Sequence, residues 1–277
     1  MSQLSWFLLG YRKGAGRPKI GGSATWVFSV ICGLLVIGGA RAQSQQPSEL
    51  RVAAAADLQP VLSVLAPEYE KATGVKLAVS YGSSGTLATQ ILNGAPMDLF
   101  LGADFVFPEK VVAAGLADSA APTQYAKGTL VLWARKDSPL QPITLDTLVD
   151  KRVTSVAIAN DLHAPYGRAA VMALQRMKMY DVVKPHLVVA ENISQAAQFV
   201  ESGNAQLGLI SLTAASTQHF KDAGTFVRVP TSSYSPIVQC AVVMAKSNRK
   251  AAHAFLDWLL TPQIQARLPE MGLASVK

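Results

Sequence analysis

From residue 50 almost to its end, the chain alternates short apolar runs with longer segments whose apolar residues recur every three or four positions. The run 50–55 leads into a helical pattern with Leu58, Val61, Leu62, Leu65, Tyr69 and Ala72 on one face, closed by Gly74, a residue suited to a left-handed helix end. Strand 75–80, helix 86–93 with Gly94 as its stop, strand 98–101 and a helix opened by Pro108 and closed at Gly115 complete a βαβαβα series. Consecutive parallel strands need such crossover helices, and the helices then cover the sheet. The expected fold class is therefore α/β, with a mainly parallel sheet flanked by helices and ligands at the carboxyl ends of its strands.

A second series follows: strand 129–134, short helix 145–150, strand 153–159, helix 167–179, strand 187–190, helix 194–202, and strands 207–211 and 225–229. It reads as a second lobe. The apolar run 237–245 suggests a return to the first sheet, before terminal helices carrying Phe255, Trp258, Leu259, Ile264 and Leu268. Two passes between lobes would form a two-segment hinge, with lobe 1 made of 43–128 plus 230–277 and lobe 2 of 129–229. No repeat of fixed period and no low-complexity segment interrupts this organisation.

The first 42 residues have a different character. Arg12, Lys13, Arg17 and Lys19 precede an apolar segment, 26–37, and Gly38-Gly39-Ala40-Arg41-Ala42 follows it. A basic region, an apolar stretch too short to span a bilayer and an Ala-x-Ala site form a secretory signal, so a signal peptide over 1–42 with cleavage near Ala42 is expected, and with it a periplasmic location. Cys32 does not lie in a lipoprotein-like context. The formal charge of +7 changes meaning once this segment is set aside: its five basic residues are unmatched by acids, and the rest holds 20 basic against 18 acidic residues, a net of +2. No later stretch clusters Lys and Arg with aromatics, which argues against a nucleic-acid surface. Beyond residue 42 only Cys240 remains, inside an apolar run, where a buried structural thiol is expected.

The stretch Ser80-Tyr81-Gly82-Ser83-Ser84-Gly85-Thr86 joins a strand pattern to a helix pattern. A helix N-terminus carries unpaired N–H groups and the positive end of the dipole, while glycines admit a ligand close to the backbone and hydroxyls add donors. Simple N-capping by Ser83 or Ser84 explains this segment equally well. Three further helix starts, at Ala56-Asp57, at 164–167 and at 191–194, would meet it if two such sheets faced each other. About six donors at roughly 1.5 kcal/mol each are on the scale of the ~8 kcal/mol of micromolar binding, so an anion site without metal or basic residue is physically adequate.

Enzymatic apparatus is thinner. The Gly82-to-Gly85 turn lacks the spacing of a nucleophile elbow, and of the four histidines only His163 falls near a candidate loop. There is no His/Cys/carboxylate spacing suited to a metal, no dinucleotide fingerprint and no P-loop, so no catalytic residue, cofactor or cation site is expected. Asp98 and Asp104 flank a strand, as turn or cap residues do.

Several segments together carry a family resemblance: Val52-Ala53-Ala54-Ala55-Ala56-Asp57-Leu58, Ser80 through Leu87, Gln90-Ile91, Gly94-Ala95-Pro96-Met97-Asp98-Leu99-Phe100, Ala103-Asp104 and Leu207-Gly208-Leu209-Ile210. Over essentially all of the chain past the signal segment, the sequence resembles the periplasmic molybdate-binding proteins of ABC transporters. The resemblance implies a two-lobed type II periplasmic binding protein, each lobe a mixed, mainly parallel sheet, that works as a monomer and delivers its ligand to an inner-membrane ABC permease. It also implies an oxyanion held between the lobes by hydroxyls and amides, with molybdate or tungstate as ligand. Carried over by position, the family's ligand contacts fall on Asp57, Ser84, Tyr166, Ile193 and Ser211, and Ser83 adds a hydroxyl beside them. Two positions depart from the family pattern: Asp57 stands where a serine is usual and Ser211 where a tyrosine is. A carboxylate repels a dianion unless it is protonated or turned away. Sulfate, phosphate or a small carboxylate therefore stay open as ligands, as does a secreted enzyme on the same fold with His163 near Ser84 or Asp57.

Overall fold

The structure, a computed structural model, describes residues 48–276. The expected signal peptide, 1–42, lies outside the described residues.

The described residues begin with β1 (Ser48–Ala55), α1 (Gln59–Thr73), β2 (Val75–Gly82), α2 (Ser84–Leu92), β3 (Leu99–Gly102), α3 (Val106–Ala113) and β4 (Thr123–Gly128). Next come β5 (Leu130–Arg135), β6 (Val156–Ala159), α4 (Pro165–Arg176), α5 (Tyr180–Val183), β7 (Leu187–Ala190), α6 (Ile193–Glu201) and β8 (Leu207–Ser211). The chain closes with α7 (Leu212–Ala215), α8 (Gln218–Ala223), β9 (Gly224–Arg228), β10 (Ile237–Val243), α9 (Arg249–Leu259) and α10 (Pro262–Gln265). The segment expected as a short helix near 145 is a 3-10 turn, Leu145–Val149.

The strands form two five-stranded sheets, ordered β2-β1-β3-β10-β4 and β7-β6-β8-β5-β9. In the first, β1 is parallel to β2 and β3, and β10 is antiparallel to both β3 and β4. In the second, β6 is parallel to β7 and β8, while β5 is antiparallel to β8 and β9. Each sheet thus has one reversed strand, and that strand directly follows a crossing of the chain: β5 after Thr129, β10 after 229–236. The sheets are mixed with four strands in a common direction, the two-lobed α/β fold expected of type II binding proteins.

Both faces of each sheet are covered. Along β1, Leu50, Val52 and Ala54 face a core completed by α1 and α9, whereas Ala53 joins Leu87, Ile91, Phe100 and Phe107 from β3, α2 and α3. Along β5, Leu130, Leu132 and Ala134 meet α4 and α6, while Val131 and Trp133 pack with Val200, Ile210 and Leu212. Side chains alternate across a strand, so burial on both faces produces the continuous apolar runs of the sequence. With helices filling both faces, the open ends of the strands, where β1, β2, β3, β6 and β7 pass into loops and helices, remain for a ligand.

Candidate functional site

At those ends the expected helix starts come together. One small enclosure is lined from the first sheet by Ala56, Asp57, Ser83 and Ser84, and from the second by Tyr166 and Ile193. Ser84 and Ile193 are the first residues of α2 and α6, and Tyr166 is the second of α4, behind Pro165 at the position where a missing N–H costs nothing. First-turn amides have no acceptor within their own helix, and the dipole places positive potential on them. The lining residues include no Lys, Arg or His. The enclosure therefore suits an anion recognised by amide and hydroxyl donors.

The two adjacent serines have different duties. Ser83 is the N-cap of α2: its Oγ accepts from Thr86 N at 3.2 Å, and Thr86 Oγ1 lies 2.8 Å away. Ser84, fully buried, accepts from Ala103 N at 2.9 Å. That bond occupies a lone pair and leaves the Ser84 proton available to donate.

Asp57, 2 % exposed, accepts on Oδ2 from the Tyr166 phenol at 3.0 Å and from Gln239 Nε2. Its Oδ1 and the Gln239 Oε1 are buried without a partner. Burial pushes the Asp57 carboxyl up to about 7, against the opposing pull of hydrogen bonds from Gln239, from Tyr166 and from its own backbone N–H. The same burial, with the Asp57 charge next in effect, raises the Tyr166 phenol well above its ordinary value, so it remains a donor.

Hydrogen bonds and one ion pair tie the two sides together around the enclosure. Gly85 N donates to His163 O at 2.8 Å, Thr86 Oγ1 to Glu191 Oε1 at 2.8 Å, and Ser194 Oγ to Gln59 Oε1 at 3.2 Å. Arg168 of α4 pairs with Asp104 in the loop after β3, and its guanidinium lies 5.0 Å from the Phe107 ring centroid. Asp104 also accepts from Phe107 N at 3.2 Å, so it holds the turn that leads into α3, whose N-cap is Phe105, and is a bridge as well. A Cβ on Gly85 would stand 2.9 Å from both Cα and O of His163, so only glycine allows this approach.

Five of the six expected site residues, Asp57, Ser83, Ser84, Tyr166 and Ile193, line the enclosure. Ser211 does not. It ends β8 and N-caps α7, accepting from Ala214 N at 3.3 Å and from Thr213 Oγ1 at 2.8 Å. A strand-terminal hydroxyl is drawn to the nearest unpaired helix amides, and α7 begins at the next residue. His163 contributes its backbone carbonyl, and its side chain is exposed. Gln239 and the Arg168–Asp104 pair were not foreseen. Gln239 carried a signal, a lone polar residue in the apolar run Ile237-Val238-Gln239-Cys240-Ala241, but its partner lies 182 residues away.

Helix N-termini meeting in a cleft of a two-lobed α/β fold define a solute-binding protein, and the family model described as bacterial extracellular solute-binding protein matches residues 50–274. The sequence is 37% identical over 230 residues to the molybdate-binding protein ModA of Azotobacter vinelandii, covering 81% of this chain and 89% of that one. It is 35% identical to ModA of Rhodobacter capsulatus, with 78% and 84% covered. Among solved structures, the periplasmic molybdate-binding protein of Azotobacter vinelandii matches with a TM-score of 0.77 at 33% identity, covering 82% of this chain and all of that one. The chain belongs to the ModA family of bacterial extracellular solute-binding proteins.

Proposed function

We propose that this protein is the periplasmic receptor of an ABC transporter, capturing molybdate or tungstate between its lobes and handing it to an inner-membrane permease. The observation that carries this reading is the meeting of the first residues of α2, α4 and α6 in one enclosure with no cationic lining. Ser84 donates its hydroxyl and amide, and Asp57, Tyr166 and Ile193 donate amides. Ser83 holds the α2 end in place. No metal cation is needed, because the metal arrives as an oxyanion surrounded by its own oxygens. Residues 43–128 with 230–277 act as one lobe and 129–229 as the other, and the bonds from Gly85, Thr86, Ser194 and Arg168 form as they close. Residues 1–42 direct export and are removed near Ala42, and the product works as a monomer without catalysis or nucleic-acid partner.

A second reading is favoured by Asp57. An ionised carboxylate in the enclosure would accept a hydrogen bond from an oxyanion that carries its own proton, such as hydrogen phosphate. Titration calorimetry with molybdate, tungstate, sulfate and phosphate separates the two. Tightest binding of molybdate and tungstate is expected; phosphate binding more tightly than either would overturn the leading reading.

A further inference from the structure

We infer that Asp57 is a proton-bearing, specificity-determining member of the anion site: entry of a dianion is accompanied by uptake of one proton onto its carboxyl group. The inference rests on the anion-receptor reading above and concerns what accompanies the anion.

The geometry leaves few alternatives. Asp57 is 2 % exposed and lines the same enclosure as Ser84, Tyr166 and Ile193. Its Oδ2 receives two neutral donors, the Tyr166 phenol of α4 and the Gln239 amide of β10, and its Oδ1 receives none. The titratable groups around it supply no compensating cation. Tyr166 is a neutral donor, Tyr125 of β4 is a buried phenol bonded to Gly102 O, and Cys240 of β10 is a buried thiol. Asp104, after β3, adds negative charge that Arg168 of α4 already engages. Of the helices packed against the Asp57 turn, α7 carries no titratable residue, and α1 and α6 carry none in their first two turns, the charged residues of α1 beginning at Glu68. Glu191, just ahead of α6, is engaged by Thr86.

A dianion placed beside an ionised Asp57 would put three negative charges in one water-poor space, and like charges at short range disfavour ionisation. The proton comes from solvent and attaches to Oδ1, the oxygen without a donor. That oxygen changes from an unpaired buried acceptor into a donor, a role that matches an anion. The carboxyl is raised by burial to about 7 before any anion is present, and a dianion shifts it further in the same direction. Below about 7 the proton is already in place and affinity is level with pH. Above it, each binding event must draw a proton from solvent, so affinity falls as pH rises. Anions that bring their own proton gain nothing from a protonated Asp57, and this favours true dianions.

The test is titration calorimetry of the purified protein with sodium molybdate at pH 6, 7, 8 and 8.5, each in two buffers of low and high ionisation enthalpy. In wild type, the heats are expected to differ between buffers by an amount that approaches one proton taken up per anion above pH 7. The dissociation constant should rise by about tenfold per pH unit at most over the same range, the limit for one linked proton. Asp57→Asn should give equal heats in both buffers and a level affinity. The wild-type arm decides the matter even if that variant fails to fold. Molybdate binding with no buffer dependence and a level dissociation constant from pH 7 to 8.5 overturns the inference alone. No molybdate binding at any pH overturns the receptor reading and this inference with it.

Discussion

A serine hydroxyl has a single proton to give, and the bonds at its oxygen decide whether that proton is free. Ser84 uses its oxygen to accept from Ala103 N, so its proton is free to be given to the ligand proposed there. Ser84→Ala should weaken molybdate binding by about 1–3 kcal/mol, the cost of losing one donor to a buried charged partner, as measured by calorimetry. Ser83→Ala should instead lower thermal stability by about 1 kcal/mol, the usual worth of an N-cap, and leave the affinity within a factor of a few. Equal loss of affinity in the two variants would contradict this division. The seven-residue turn made both roles legible in the sequence, but not which serine has which, because that depends on Ala103, 19 residues away. Asp57 was legible as an anomaly. Its partners Tyr166 and Gln239 belong to elements that only tertiary folding brings alongside.

In the proposed site the helices act through their first turns, so how closely an N-terminus approaches the opposite side matters more than helix length. The start of α2 comes nearest at Gly85, whose amide donates to His163 O. Gly85→Ala puts a methyl group against that loop and against the Phe107 ring. The variant should keep its secondary structure, seen by circular dichroism, while molybdate raises its melting temperature much less than that of wild type. An undiminished ligand-induced shift would show that α2 can retreat without loss. Elements with strong periodicity were plain from sequence: the strands expected at 187–190 and 207–211 are β7 and β8. Strand β4 was not, since Thr123-Gln124-Tyr125-Ala126-Lys127-Gly128 shows no alternation and is half exposed. It is an edge strand defined by pairing with β10, more than a hundred residues later.

At the scale of the whole molecule, two kinds of contact cross between the sheets: single hydrogen bonds with one ion pair, and a buried apolar seam in which Ala55, Ala56, Ala103 and Ile237 pack with Ala164, Tyr166 and Ile193. In the proposed mechanism a ligand bound between the lobes adds to both. Saturating molybdate should make the particle more compact in solution scattering, and identical profiles with and without it would count against lobe closure. At a hundred times the dissociation constant the ligand should add about 2.7 kcal/mol to the stability of the folded state, readable as a raised melting temperature. The two-lobed plan was legible because both series of strands and helices were strongly patterned. The single reversed strand in each sheet was not, because β5 and β10 look like any other buried strand until their neighbours are known.

Those reversed strands bear on the order in which the chain can be assembled during synthesis. In the first sheet β10 lies between β3 and β4, so β4 has no neighbour in that sheet until residues 237–243 exist. A chain cut short at residue 236 would retain β2-β1-β3 with one edge open and β4 unpaired. Hydrogen exchange on such a fragment should find the amides of β4 unprotected. A growing polypeptide of this topology therefore keeps its first sheet unfinished until residues 237–243 have been made.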